Sequence, residues 1–294
     1  MREFEFIEYL KKLSPALPQG IGDDAALLGN LLIAKDLMTE GIHFLETEPI
    51  DYIMDRLFTA NLSDLAAMGA KQEGVCVLLG LVMPKEIKRK SLLAAIENTC
   101  EKYKITLIGG DTCHGDSLTL SLTAIGTKGK NVLTRAGASA GDLLFLSRTV
   151  GMSALDLEKR LSGASDYSYR PPAEVSLGAL LGETEAVTSC IDISDGLGRD
   201  LSHIAKSSAV RINLHGKDLP LCKDIEADDA LCSGEEYALA FTVKSEYAKE
   251  LRERVRQELG RDIFLIGEVI AGQGVYLTEE AGMMREISSF GYEH

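Results

Sequence analysis

The positions of the aspartates limit the possible folds of this chain more than any other feature. Many acidic residues lie on charged helices, as from Glu246 to Glu258, and read as solvated surface. Another set sits at expected strand ends beside glycine or other small residues. These are Gly22-Asp23-Asp24, Lys35-Asp36, Ser63-Asp64, Gly109-Gly110-Asp111-Thr112 and Asp192-Ile193-Ser194-Asp195-Gly196. Taken singly, each is an ordinary turn or helix cap. Five in one chain shift the balance, because clustered carboxylates repel one another and need compensating cations. Hard divalent cations with oxygen ligands are the usual partners, and Mg²⁺ is commonly shared between carboxylates and substrate phosphates. Two such ions can clamp the attacking and leaving oxygens of a phosphoryl transfer. The pattern predicts a fold that gathers these segments around a multi-metal, phosphate-handling site.

The surrounding sequence alternates short strands with helices. Residues 3–13 have helical spacing; strands are expected at Leu31–Ala34, Gly74–Met83, Ile105–Ile108 and Leu118–Ile125. Helices are expected from Asp51 to Met68, stopped by Gly69, and from Pro84 to about Tyr103. Between Gly126 and Gly141 the composition turns to Gly, Lys, Ser and Ala. A domain boundary belongs there, giving residues 1–136 and 137–294, as a length of 294 residues suggests. The second half reads as strands at Asp142–Ser147, up to Ile193, Ala238–Val243 and Ile263–Val269, with helices over about 196–207 and 245–259. Mixed elements in both halves indicate an α/β (α+β) protein. No internal repeat or low-complexity tract interrupts it.

Several function classes are disfavoured. A net charge of −14 argues against a surface that tracks a nucleic-acid backbone. The longest nearly unbroken apolar run, Val75 to Met83, is shorter than the ~20 residues of a membrane helix. Met1 to Lys12 carries three glutamates and no apolar signal core, so no secretory leader is expected. Six cysteines without C-x-x-C spacing read as mostly buried thiols of a cytoplasmic chain. There is no P-loop motif and no protein-kinase motif set, and the glycines of Gly126-x-x-Gly129 read as an interdomain loop.

Eight short motifs then follow one another in a familiar order. They are Ile21-Gly22-Asp23-Asp24-Ala25-Ala26; Asp36 with Glu40-Gly41-Ile42-His43-Phe44; Asn61 to Gly69; Ile108-Gly109-Gly110-Asp111-Thr112; Thr134-Arg135-Ala136-Gly137; Asp192 to Leu197; Ser233-Gly234-Glu235-Glu236-Tyr237; and Gly291-Tyr292-Glu293-His294. Over essentially its whole length the chain resembles the thiamine-monophosphate kinase family, within the superfamily of aminoimidazole ribonucleotide synthetase and selenophosphate synthetase. The resemblance implies an N-terminal domain whose strands form a barrel across a homodimer interface, and a C-terminal α/β domain. It also implies ATP-dependent phosphorylation of thiamine monophosphate to thiamine diphosphate with Mg²⁺.

Carried over residue by residue, the resemblance makes Asp24, Asp36, Asp64, Asp111, Asp192 and Asp195 metal ligands. Tyr103, Gly110, Arg135 and Ser194 fall at ATP-contacting positions, and His43, Glu235 and Tyr292 at positions that contact thiamine monophosphate. The chemistry suits these roles: a cationic thiazolium can rest against an aromatic face and a carboxylate, and a histidine can donate to phosphate. Read without the resemblance, the residues have plainer alternatives. His43 is then a loop histidine, Tyr103 packs its helix end, Tyr292 is a frayed terminus, Glu235 is surface charge and Arg135 pairs with a nearby carboxylate. No general base is expected, because the acceptor is a phosphate oxygen already largely deprotonated near neutral pH.

The sequence departs from the family where Ala34-Lys35-Asp36 replaces a usual Ser-Thr-Asp. Lys35 either stands in for one metal ion or points away from the site. Cys113-His114 is too small a set for a soft-metal site, and the chain stops at His294 where relatives often continue with Phe. Selenophosphate synthetase is disfavoured by the lack of a glycine-rich N-terminal segment with a Cys and Lys pair. A hydrogenase maturation protein is disfavoured by the lack of a C-terminal cysteine. A non-catalytic binder of thiamine phosphates or nucleotides is the reading from a different class.

Overall fold

The structure is a computed structural model that describes residues 9–12, 21–164, 169–279 and 282–292. The helix expected over residues 3–13 lies for the most part outside these, as do Glu293 and His294. In the first half, strands β1 (Ala26–Leu28), β2 (Leu31–Thr39), β3 (Cys76–Met83), β4 (Thr106–His114) and β5 (Thr119–Thr127) form a five-stranded sheet in the order β1-β2-β5-β3-β4. β3 and β4 run parallel, joined through helix α2 (Arg89–Tyr103), and the other neighbours are antiparallel. Helix α1 (Ile50–Ala67) packs on one face of this sheet, against β2, β5 and α2.

The second half builds a seven-stranded sheet from β6 (Leu143–Leu146), β7 (Val187–Asp192), β8 (Arg211–His215), β9 (Leu239–Val243), β10 (Phe264–Ile270), β11 (Gly274–Thr278) and β12 (Met284–Glu286). Its order is β12-β11-β8-β10-β6-β9-β7, with only β8 and β11 parallel. Helices α3 (Met152–Leu161), α4 (Val175–Gly182), α5 (Leu197–Ser208), α6 (Ala227–Cys232) and α7 (Ala248–Leu259) complete it. The mixed α/β character is as expected. Neither sheet closes on itself, so no barrel forms within one chain.

Helix α1 differs from an ordinary surface helix. Fifteen of its eighteen residues are buried, including Asp55, Arg56, Asn61 and Ser63. Leu57, Phe58, Leu62 and Leu65 enter the core beneath the first sheet. Ala66 and Ala67 enter a second core, shared with Leu177, Leu181, Phe145 and Phe241 of the C-terminal half. The seam is tight where α4 crosses α1: a Cβ on Gly178 would lie 2.3 Å from the Ala66 carbonyl oxygen. Only glycine permits that approach.

Several expectations are corrected. The helix expected from Pro84 starts at Arg89, because Ile87 N–H closes a turn on the Pro84 carbonyl (3.3 Å). β2 continues to Thr39 and β4 to His114, so Asp36 and Asp111 lie inside strands; Asp64 lies on a helix. A bulge between Val77 and Leu78 absorbs one extra residue of β4 and lets the Gly109-Gly110 segment stay paired. Of the six cysteines, only Cys190 is buried and all six are unpaired, which corrects the expectation of mostly buried thiols. Helices α3, α4 and α6 and strands β1, β8, β11 and β12 lie outside the expected elements.

Because Gly178 sets the distance between the two halves, Gly178→Ala should force α4 off α1. Denaturant unfolding should show a loss of about 1–3 kcal/mol or more, the usual cost of overpacking a tight contact.

Candidate active site

Arg56, Ala60 and Asp64 follow one another at four-residue intervals, so α1 lays them in one stripe along the floor of a cleft of about 790 Å³. The eight residues from Arg56 to Asp64 span about 12 Å of helix axis. Asp64 marks an acidic end and Arg56 a mixed-charge end, where Arg160 and Glu235 also line the wall.

At the acidic end, carboxylate oxygens of Asp24, Asp64 and Asp192 lie within 4.8 Å of one another. Asp24 comes from the segment before β1, and Asp192 ends β7. Asp36, on the helix-facing side of β2, is within hydrogen-bonding reach of Asp64. Ser63 Oγ donates a short hydrogen bond to Asp192 Oδ2. Arg135 donates to Asp24 Oδ1 through Nε (3.1 Å) and Nη2 (2.5 Å), and its backbone N–H donates to Asp23 Oδ1 (2.9 Å). One guanidinium therefore faces a group of four acids. Burial raises the pKa of Asp24, against the pull of Arg135. Burial raises Asp36 to about 6, and Asp64 and Asp192 well above the ordinary range with help from neighbouring carboxylates. Asp24 Oδ2 and Asp36 Oδ2 are buried without a hydrogen-bond partner. A set of hard oxygens, close together and short of positive charge, fits a divalent cation.

The loop after β7 carries Ser194 and Asp195 into the cleft lining. Asp200, 2 % exposed, holds this loop: its Oδ2 accepts the backbone N–H groups of Ser194, Asp195 and Gly196 at 3.0, 3.1 and 3.1 Å. Burial raises Asp200 to about 7, with Asp195 adding to the shift and the backbone donors opposing it. His43 also lines the cleft, and its Nδ1 accepts the Thr39 N–H (3.1 Å). In the neutral ring the proton then sits on Nε2. Tyr292 lies at the cleft, with its backbone N–H on the Asp195 carbonyl (2.8 Å).

Thus Asp24, Asp36, Asp64, Asp192, Asp195, Ser194, Arg135, His43, Glu235 and Tyr292 are gathered around one cleft and its acidic end. Tyr103, Gly110 and Asp111 are not. The Tyr103 hydroxyl bonds Thr59 Oγ1 (2.9 Å) and Asp55 Oδ1 (3.2 Å) on another side of α1. Asp111 pairs in register with Gly80, which pairs with Ser121, on the sheet face opposite the helices. It is also three strands from Asp36, about 14 Å across the sheet. Gly110 is confined to glycine because a Cβ there would lie 1.9 Å from the Leu79 carbonyl oxygen. Lys35 is exposed on that outer face, with Nζ on Ser121 Oγ (2.5 Å), so it points away from Asp36. Sequence reasoning missed Arg56, Arg160 and Asp200. The eight-residue spacing from Arg56 to Asp64, which sets both on one face of the helix, was the signal for the first.

This two-sheet architecture with an acidic cleft defines a class. Residues 22–127 match the model of the AIR synthase related protein N-terminal domain, and residues 104–280 that of the AIR synthase related protein C-terminal domain. Among relatives, the thiamine-monophosphate kinase of Haemophilus influenzae is 35 % identical, covering 87 % of this chain and 86 % of its own. That of Pyrococcus abyssi is 32 % identical over 100 % of this chain and 96 % of its own. A solved structure, AaThiL complexed with AMPPCP and TMP, matches at a TM-score of 0.84 and 27 % identity, covering 100 % of this chain and 97 % of that one. The chain belongs to the thiamine-monophosphate kinase family.

The raised carboxyls make a pH prediction. An acid whose folded pKa is raised above an ordinary 3.8 holds its proton more tightly in the folded chain. Its contribution to stability is full below about pH 4 and is lost as pH rises through 6 for Asp36 and 7 for Asp200. In EDTA, the thermal midpoint should therefore fall between pH 5 and pH 8. Asp64→Asn, which removes a buried charge, should raise the midpoint at pH 8.

Proposed function

We propose that this chain transfers the γ-phosphoryl group of ATP to thiamine monophosphate, yielding thiamine diphosphate and ADP. The observation that carries this reading is the α1 stripe. It joins a clustered-carboxylate end, suited to phosphates and divalent cations, to an Arg56–Glu235 end about 12 Å away, suited to the organic part of a phosphorylated cation. AaThiL, similar over the whole chain, is a complex with an ATP analogue and TMP.

In this reading Asp24, Asp36, Asp64, Asp192 and Asp195 would hold Mg²⁺, which when bound neutralises the phosphates of both substrates. The unpartnered Asp24 and Asp36 oxygens support that assignment. Arg135 and the Ser194 loop serve the nucleotide, and His43 Nε2–H donates to the acceptor phosphate. An acceptor phosphate oxygen forms the new bond to the γ-phosphorus as the bond to the ADP oxygen breaks. No side chain needs to remove a proton, so catalysis rests on alignment and charge neutralisation. Glu235 and Tyr292 hold the heterocycles.

The protein is proposed to act as a homodimer in the cytoplasm, with domains divided near residues 136 and 137. Support for the dimer lies in the outer face of the five-stranded sheet, where β4 is exposed along its whole length and Leu37 and Ile108 are 50 % and 53 % exposed. Asp111 and Gly110 lie on this strand, so their roles and that of the neighbouring Tyr103 are assigned to the assembled dimer. Within one chain, the sheet separates Asp111 from the other acids. No helix among the described residues is long and apolar enough to cross a membrane.

Incubation with ATP, MgCl₂ and thiamine monophosphate should yield thiamine diphosphate and ADP in equal amounts. Binding without ADP release would reject the assignment in favour of a binding protein. Asp24→Asn and Asp64→Asn should each lower kcat by about 10²–10³ with the fold retained, the scale of losing a group that neutralises transition-state charge. Lys35→Thr should leave the Mg²⁺ dependence of the rate unchanged, because Lys35 faces away from Asp36. Asp111→Asn and Asp64→Asn chains, each inactive alone, should recover activity when mixed as heterodimers; no recovery would place Asp111 outside a shared site.

A further inference from the structure

We propose that Arg56 and Arg160 are positioning residues which, together with Glu48, fix Glu235 and the His43 loop so that the cleft accepts the organic end of the substrate. This rests on the phosphotransfer reading above and deepens it.

The four side chains form a closed ring of alternating charge. Arg56 Nη1 donates to Glu48 Oε2 (3.3 Å), and Arg160 Nη1 to Glu48 Oε1 (3.3 Å). Arg56 Nη2 makes a short hydrogen bond to Glu235 Oε1, and Arg160 Nη2 lies 3.7 Å from Glu235 Oε2. Each glutamate thus divides its two oxygens between the same two arginines. Arg56 and Glu48 come from the N-terminal half, Arg160 and Glu235 from the C-terminal half, so the ring closes across the seam. Three corners are sealed: the Arg56, Glu48 and Arg160 side chains are 3 %, 2 % and 5 % exposed. The fourth, Glu235, is 33 % exposed and lines the cleft.

Two further observations tie the ring to the site rather than to stability alone. Arg56 Nη2 also donates to the His43 carbonyl oxygen (2.9 Å), so the same guanidinium fixes two of the three residues assigned to substrate. Glu235 itself sits at φ +55°, a left-handed conformation that a glutamate seldom adopts. Its carboxylate is held from two sides, while its backbone N–H is bonded to the Ser194 carbonyl (2.8 Å). Asp156 Oδ2 also lies 3.3 Å from Arg160 Nε, so the two guanidiniums answer three carboxylates. Glu235 therefore presents the substrate with an acceptor oxygen of fixed position. Losing either arginine would leave a carboxylate short of a partner and free Glu235 to turn.

The experiment is a double-mutant cycle on the full chain with Arg56→Gln, Glu235→Gln and the pair, plus Arg56→Lys. It is read by KM for each substrate, by kcat, and by calorimetric binding of thiamine monophosphate. Arg56→Gln should raise the KM for thiamine monophosphate about tenfold or more while leaving the KM for ATP within about twofold. The double variant should be no worse than the weaker single variant, and Arg56→Lys should recover part of the loss. A folded Arg56→Gln chain with unchanged thiamine monophosphate affinity overturns the proposal. So do fully additive losses in the double variant, or a parallel decline in both KM values, kcat and the thermal midpoint. If Arg56→Gln does not fold, Arg160→Gln carries the same expectation and the same overturning results. A wild-type chain that neither binds nor phosphorylates thiamine monophosphate removes the functional reading and this proposal together. Wild-type turnover with an indifferent Arg56→Gln removes this proposal alone.

Discussion

Everything near the cleft depends on the burial of α1 on nearly all sides. A helix in that position would ordinarily be apolar all round, since each charged group taken from water costs several kcal/mol unless it is paired. α1 instead carries Asp55, Arg56, Asn61, Ser63 and Asp64 into the interior, and the rest of the protein is arranged to answer them. Lys102 reaches Asp55, Glu48 and Glu235 meet Arg56, Asp192 accepts from Ser63, and the Asn61 amide bonds back to the Leu57 carbonyl. Asp64 alone is answered mainly by more carboxylates. Of the charged groups on this helix, it is the one whose demand the chain's own side chains leave unmet.

The two ends of the cleft therefore differ in kind. At the Arg56 end, each carboxylate meets a guanidinium, and the geometry is held without help from a ligand. At the Asp64 end, one arginine serves several acids, and the site relaxes by keeping protons. The first arrangement suits the recognition of shape and direction. The second suits a site whose charge is completed by what binds there. One helix joins them, so the distance between recognition and reaction is as rigid as its hydrogen-bond ladder.

The sequence made much of this legible. Helical spacing located α1 almost to the residue, and the order of the motifs brought ten of thirteen expected site residues to one cleft. What the sequence left open has physical causes. Asp111 looked like its sister motifs because Gly-Asp reads alike in a turn and in a bulged strand; only the pairing of β4 with β3 decides which face it takes. Lys35 looked like an intrusion into the acidic set because adjacency in sequence is not adjacency in a strand, where neighbours point to opposite faces. Arg56 and Asp200 were overlooked because each stands beside an opposite charge in sequence, Asp55 and Arg199, which gives no sign of its partners; these arrive from 43, 48 and 235 in one case and from the loop at 194–196 in the other. Helices α3 and α4 are short, and their register depends on tertiary contacts such as Gly178 against Ala66.

The open flank of β4 bears on how the chain meets other polypeptides. An edge strand that carries the exposed Leu107 and Ile108 and leaves one row of backbone donors and acceptors unpaired is a template on which an extended segment can pair. No proline interrupts the strand and no lysine lies within it to discourage such pairing. The protein is thus exposed to a race between covering this edge and promiscuous association. How that race ends depends on how much of the polypeptide is present and how quickly it is made.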